Sequence, residues 1–142
     1  MKALFEVVIL PVADPDRSLR FYRDKVGFDL DVDYAPTPGF RVIQLTPQGA
    51  STSIQFGVGL TDEPVGSVRG LYLVVADIEA VGRELAERGV DVSEFRHKDT
   101  GSGEWRGQYL SGLDPDRADY ASFAEFRDPD GNTWVLQERG HR

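Results

Sequence analysis

An α+β fold built from two tandem βαβββ modules is predicted by three features of the chain. An apolar phrase ending in Val-Ala-Asp occurs twice, an amphipathic helix pattern follows each copy, and a pair of strand-like segments around a turn closes each half. The two copies are Leu10-Pro11-Val12-Ala13-Asp14 and Leu73-Val74-Val75-Ala76-Asp77. Each Asp is placed to cap a helix, since its carboxylate can accept from the free N–H groups of the first turn. Pro15 suits the first helical position after Asp14. Leu19, Tyr22 and Val26 then fall on one helical face, and Ile78, Val81 and Leu85 do the same in the second half. These stripes are read as core. Gly27 and Gly89 offer the left-handed residue that commonly ends a helix, and Phe28 and Val90 follow them as apolar residues.

The closing hairpins match as well. Strands are expected over Phe40 to Leu45 and Ile54 to Val58 around Thr46-Pro47-Gln48-Gly49. In the second half they are expected over Tyr120 to Phe126 and Thr133 to Gln137 around Asp128-Pro129-Asp130-Gly131-Asn132. The first module spans about 4–58, a polar, breaker-rich linker about 59–68, and the second module about 69–138. Each half alone is too small to bury its sheet, so the 142 residues are read as one domain. The halves differ over Lys98 to Asp119, a segment rich in Gly and Ser that also carries Trp105 and Tyr109. Loops of that length are uncommon unless they serve a site or are mobile, so this one is read either as a lid over a pocket or as a mobile insertion.

Composition narrows the function. With 16 basic and 24 acidic residues the net charge is −8, which repels a polyanion and argues against nucleic acid as partner. No run reaches the roughly 18 apolar residues of a membrane span, and the N-terminus lacks a signal-peptide pattern, so a cytoplasmic protein is expected. The absence of Cys removes disulfides, thiolate metal sites and Cys nucleophiles together. There is no Gly-rich phosphate loop and no Gly-x-Ser-x-Gly elbow, so hydrolase and nucleotide-binding readings lack support.

The order of elements, together with Val12-Ala13-Asp14-Pro15-Asp16-Arg17-Ser18-Leu19-Arg20-Phe21-Tyr22, the Gly27-Phe28 step and Asp128-Pro129-Asp130-Gly131-Asn132, strongly resembles the vicinal-oxygen-chelate superfamily. That is the glyoxalase, bleomycin-resistance and extradiol-dioxygenase group, and the likeness runs from about residue 4 to 138, nearest to small bacterial glyoxalase-like proteins. The resemblance implies two curved sheets that form a cleft, and homodimerisation. It also implies four metal-ligand positions, one on each of four strands, which here read as Val7, Gln55, Gly70 and Val135. Only Gln55 has a donor atom, and firm binding of a divalent ion needs at least three donors from stronger ligand types. No cofactor is therefore expected, with a divalent metal as the alternative. A register slip of one residue would turn Glu6 inward, but it would also carry Val8 and Leu10 into the cleft.

His97 is the candidate acid or base, at the end of a strand expected to begin near Val90. Set between Arg96 and Lys98, it reads equally as a solvent-exposed residue. Gln55, Ser53 and Gly57 alternate along one strand face, as a polar binding patch or as ordinary sheet packing. Arg41 and Gln44 lie on opposite faces of the neighbouring strand. Tyr72 beside Gly70 reads as a ligand wall, and Trp105, Tyr109 and Tyr120 add aromatic surface that suits an apolar or planar ligand. Core packing and loop anchoring are the competing explanations for these rings. His141 belongs to the C-terminal tail. Three functions follow: a metal-independent protein that binds or sequesters a small organic molecule or performs a simple acid-base step, a metal-dependent lyase, isomerase or dioxygenase, and a non-catalytic dimeric accessory protein.

Overall fold

The computed structural model describes residues 1–142, and the chain divides into two compact units. The first comprises Met1–Arg69 with Asp128–Asn132, and the second Gly70–Arg127 with Thr133–Arg142. No helix is long and apolar enough to cross a membrane.

In the first unit β1 (Val7–Ile9), β2 (Asp29–Thr37), β3 (Phe40–Thr46) and β4 (Ser53–Val58) form a sheet in the order β1-β4-β3-β2. β1 runs parallel to β4, and the other pairs are antiparallel. Helix α1 (Pro15–Arg20) starts where expected, because extended Asp14 accepts from the Arg17 N–H at 3.1 Å and Pro15 needs no partner for a missing N–H. The single amphipathic helix expected from Asp14 to Gly27 needs correction. From Phe21 to Val26 the chain widens into a π-helical turn, and both the Gly27 and Phe28 N–H groups donate to the Tyr22 carbonyl. Phe21 and Tyr22 are both buried, with their rings packed edge to face at 5.0 Å. Consecutive positions of a regular α-helix point about 100° apart, so the wider turn accompanies burial of two adjacent rings. Gly27, at φ 90°, ends the segment.

The core of this unit joins Tyr22 and Phe28 to Ile43 and Leu45 of β3 and Ile54 and Phe56 of β4. It is locked by the turn 128–132. The buried Asp128 carboxylate accepts from the Tyr22 hydroxyl at 2.8 Å, from the Asn132 side-chain amide at 2.8 Å and from two backbone N–H groups, and Asn132 also donates to the Pro11 carbonyl. Asp130 accepts from Arg17 at 2.7 Å. A turn that closes the second half of the sequence thus anchors the first unit.

In the second unit β5 (Leu71–Val75), β6 (Arg96–Lys98), β7 (Tyr109–Ser111), β8 (Ser122–Arg127) and β9 (Thr133–Glu138) form a sheet in the order β5-β9-β8-β6-β7. Helix α2 (Ile78–Glu87) is capped by Asp77, whose carboxylate accepts from Ala80 N–H at 3.0 Å, and Gly89 follows it at φ 86°. Ile78, Leu85, Phe126, Trp134 and Leu136 are buried, with the Phe126 and Trp134 rings stacked at 6.1 Å.

Two expectations change here. The strand expected from Val90 begins only at Arg96, although Ser93 exchanges two hydrogen bonds with Glu125 on the way. The insertion from Lys98 to Asp119 is not structureless, since Tyr109–Ser111 pair with β6 as an edge strand. Tyr120 falls outside β8 in a left-handed conformation, at φ 63°. Near it, fully buried Glu138 accepts from Arg117 at 2.5 and 2.7 Å and from the Ile78 N–H at 2.9 Å, pinning the start of α2 to β9.

Candidate functional site

Each sheet turns one face towards the core of its unit. The opposite face, termed open, exposes some side chains although Ser53, Phe123 and Val135 on it are buried, and strand parity decides which side chains stand there. On the first sheet Val7 pairs with Ser53 and Ile9 with Gln55, while Gln44 stands opposite Gln55. Val7, Ser53, Gln55 and Gln44 therefore share the face away from Ile43, Leu45, Ile54 and Phe56. Val8 pairs with Ile54 on the core side, and Glu6 precedes β1 as an exposed residue.

The polar groups of this face bond to one another. The Gln55 amide donates to the Gln44 side-chain oxygen at 2.9 Å, Gln44 reaches Ser53 at 3.5 Å, and Ser53 shares a 2.6 Å hydrogen bond with Thr46, which also bonds Asp31. The sequence had placed Ser53 and Gln55 together, but Gln44, Thr46 and Asp31 complete the set. Arg41 instead joins Asp33 at 2.9 Å and Asp16 at 2.8 Å, and these carboxylates hold its guanidinium well above its ordinary pKa. A cavity of about 80 Å³ lies elsewhere in this unit, bounded by Leu10, Pro11, Gly57, Leu60 and Val65. It is far below the volume of roughly 300 Å³ at which organic-ligand pockets begin.

On the second sheet Arg96 pairs with Phe123, and Lys98 with Tyr109. These four share the open face with Glu125, Val135 and Tyr72, through the pairings of Glu125 with Val135 and of Val135 with Tyr72. Phe123 is buried beneath its neighbours. Tyr109 packs on it edge to face at 5.5 Å, and Trp105 packs on Tyr109 at 5.4 Å, with the indole N–H held by the Gln108 carbonyl at 2.7 Å. Two cations lie over these rings. The Arg96 guanidinium is 4.7 Å from the Tyr109 centroid and the Lys98 ammonium is 4.9 Å from that of Trp105. Trp105 and Tyr109 remain 39% and 38% exposed, so ring surface is available to a ligand. A groove of about 290 Å³ beside α2, lined in part by Gly82, Ala86, Val92 and Phe95, offers a single ring.

The remaining sequence candidates are dispersed. His97 stands between Arg96 and Lys98 but, by alternation, on the opposite face. It pairs with Ser122 and Leu110, and its Nδ1 lies 2.9 Å from the Gly112 carbonyl. Tyr72 is exposed on β5, at the far edge of the sheet from β7. Tyr120 stacks under Arg139 and accepts a hydrogen bond from it at 2.8 Å, apart from the Trp105 and Tyr109 pair. Period-2 reading of Arg96, His97 and Lys98 is the signal that separates the two cations from the histidine; Phe123 carried no signal beyond its strand.

Of the four family metal positions, Val7 and Gln55 stand on the open face of the first sheet and Val135 on that of the second. Gly70 directly precedes β5, with its N–H donating to the Thr133 hydroxyl at 2.7 Å. Val7, Gly70 and Val135 bring no side-chain donor, which leaves the Gln55 Oε1, a neutral amide oxygen, as the one potential ligand atom of the four positions, while the Gln55 Nε2 donates to Gln44. Elsewhere Asp77, Glu138 and His141 each place one potential ligand atom within 4.8 Å of the others, but Arg117 bonds both carboxylates. Burial alone would push the Glu138 carboxyl up, yet the Arg117 and Ile78 hydrogen bonds hold it below the ordinary carboxylate range. This trio is an ion-paired helix anchor rather than a vacant ligand set.

Fold and surface together define a protein of paired βαβββ modules with open sheet faces. The family model of the Glyoxalase/Bleomycin resistance protein/Dioxygenase superfamily matches residues 4–136, and the chain belongs to that superfamily. Among solved structures it resembles TnmS3, an antibiotic binding protein from Streptomyces sp. CB03234, at 31% identity and a TM-score of 0.71, covering 96% of each chain. A glyoxalase/bleomycin resistance protein from the same Streptomyces strain is 32% identical with a TM-score of 0.69, covering 94% of this chain and 99% of the other. The uncharacterized protein YetH of Bacillus subtilis (strain 168) is 24% identical over 131 residues, 92% of this chain and 94% of its own.

Proposed function

We propose that the protein binds and holds a small, flat organic molecule on the open face of its second sheet, without a resident metal. The observation that carries this reading is the Phe123, Tyr109 and Trp105 assembly, in which two exposed rings stand on a buried third. Aromatic surface fixed in this way offers stacking area at little cost in side-chain freedom. The antibiotic-binding Streptomyces relative supports a small organic ligand, and its similarity covers nearly the whole chain.

The donor chemistry supports the metal-free part. One neutral amide oxygen, beside two valines and a glycine, does not fit a divalent ion that needs several imidazole or carboxylate ligands. His97 stands on the opposite face, and Glu125, the carboxylate on the ring face, is paired with Arg96, so binding fits these side chains better than an acid-base step. A homodimer is part of the same proposal, supported by β2, an edge strand whose nine residues are all exposed and include Leu30, Val32 and Tyr34.

The test is a thermal-shift and fluorescence screen of flat polycyclic compounds against saturated ligands of similar size. The expected result is saturable stabilisation by flat compounds, weakened in Trp105→Ala. Equal response to both ligand sets, or binding unchanged in Trp105→Ala, would overturn the assignment. Sedimentation analysis tests the dimer, and a monomer at all concentrations would refute it.

A further inference from the structure

We infer that the ligand of this face is a flat aromatic molecule bearing an anionic oxygen, a carboxylate or phenolate, which Lys98 receives. The inference rests on the proposed binding role and names its ligand class.

Lys98 is half-buried, with its ammonium 4.9 Å from the Trp105 ring and 5.7 Å from Phe123. It takes part in none of the ion pairs of the molecule. This is not for want of acids in the chain, which has 24 acidic residues against 16 basic. Glu125 pairs with Arg96 at 3.1 Å and Glu104 with Arg106 at 3.4 Å, while Asp99, the next residue along the chain, turns an oxygen to the Gly101 N–H at 3.1 Å and forms no ion pair. The second cation of the face, Arg96, is thus neutralised, and Lys98 is not.

An ammonium resting on rings has three N–H donors and satisfies none of them fully by its contact with the π-faces. An anionic oxygen on the solvent side would complete a ring, cation and anion stack, while the ligand's own plane lies on the exposed surface of Trp105 and Tyr109. A neutral flat ligand gains only the stacking. A cationic one meets the Lys98 ammonium as repulsion, despite a net charge of −8 that would attract it from a distance.

The experiment compares 2-naphthoate with its neutral counterpart 2-naphthamide by tryptophan fluorescence titration, in the full chain and in Lys98→Met, which keeps the apolar stem. In the native chain 2-naphthoate is expected to bind about tenfold more tightly than the amide, the scale of one charge-assisted hydrogen bond. Added salt should weaken 2-naphthoate alone. Lys98→Met should erase the preference of 2-naphthoate over 2-naphthamide, with the variant's fold checked by far-UV circular dichroism. Equal binding of the two probes to the native chain, or a preference that survives Lys98→Met, overturns the anion inference and leaves the flat-ligand reading standing. Failure of both probes to bind at millimolar concentration overturns the two together.

Discussion

The two open faces sit on sheets built by the same repeat, yet they dispose of their polar groups in opposite ways. On the first sheet Asp31, Thr46, Ser53, Gln44 and Gln55 bond in series, so each polar side chain of the series has a partner within the face. On the second, ring surface at Trp105 and Tyr109 is left exposed and the Lys98 ammonium is left without a carboxylate. A side chain that has satisfied its neighbours contributes little to a newcomer, because binding then exchanges one hydrogen bond for another. Duplication of the scaffold therefore does not duplicate the binding surface. The halves also differ in their buried anchors, Asp128 with Tyr22 and Asn132 in the first unit, Glu138 with Arg117 in the second.

The largest effects should come from those anchors. Asp128→Ala strips the partner from a buried hydroxyl and from the Asn132 amide and should cost about 3–5 kcal/mol, read from urea unfolding. Arg117→Ala leaves the buried Glu138 carboxylate without its counter-ion and should cost about 3 kcal/mol by the same measurement. If either change is silent, the unit concerned is not held by its anchor.

The second anchor should also show in acid. Glu138 is held below its ordinary value of 4.5, so its contribution is complete above that pH and is lost as the pH falls through the depressed folded value. Urea midpoints measured from pH 7 downward should drop less steeply below about pH 4.5 in Glu138→Gln than in the native chain.

Effects on binding come next. Trp105→Ala should weaken flat ligands about tenfold through lost stacking area, with the fold intact by circular dichroism. The smallest effect should follow Gln55→Leu with Gln44→Leu. Because Gln55 donates to Gln44 and the further contacts of Gln44 are long, replacing both removes donor and acceptor together and should shift stability by no more than about 1 kcal/mol and leave ligand affinity unchanged. A large loss of affinity in that double variant would break the contrast between the faces and move the site to the first sheet.

How much of this was legible in the sequence follows the range of the interactions involved. The repeat was legible because its signals are local: Asp14 and Asp77 cap helices within three residues, and Gly27 and Gly89 take the left-handed conformation directly after them. The π-helical turn was not, because Phe21 obeys no helical stripe and its burial is decided by packing in the folded unit. β7 was hidden in a breaker-rich segment, three residues being too few for a periodic signal.

The candidate site was half legible. Trp105 and Tyr109 stood out as rings in a long insertion, whereas Arg96 and Lys98 looked like solvated flanks of His97. Alternation along β6 reverses those roles, bringing the flanks onto the ring face and the histidine to the other side. Tyr22 and Asp128 are 106 residues apart, and nothing at either position announces the other. Asp128 reads locally as a turn residue, which it also is, accepting from the Asp130 and Asn132 N–H groups.

The central claim is that the aromatic face of the second sheet binds its ligand without a metal. Its most direct test is a fluorescence titration of the protein with 2-naphthoate after exhaustive treatment with a chelator. The exposed Trp105 should report ligand contact, and the buried Trp134 should not. The account predicts saturable quenching with the same affinity before and after chelation, and loss of the quenching in Trp105→Phe. Binding that disappears with the chelator and returns on addition of a divalent metal would contradict it.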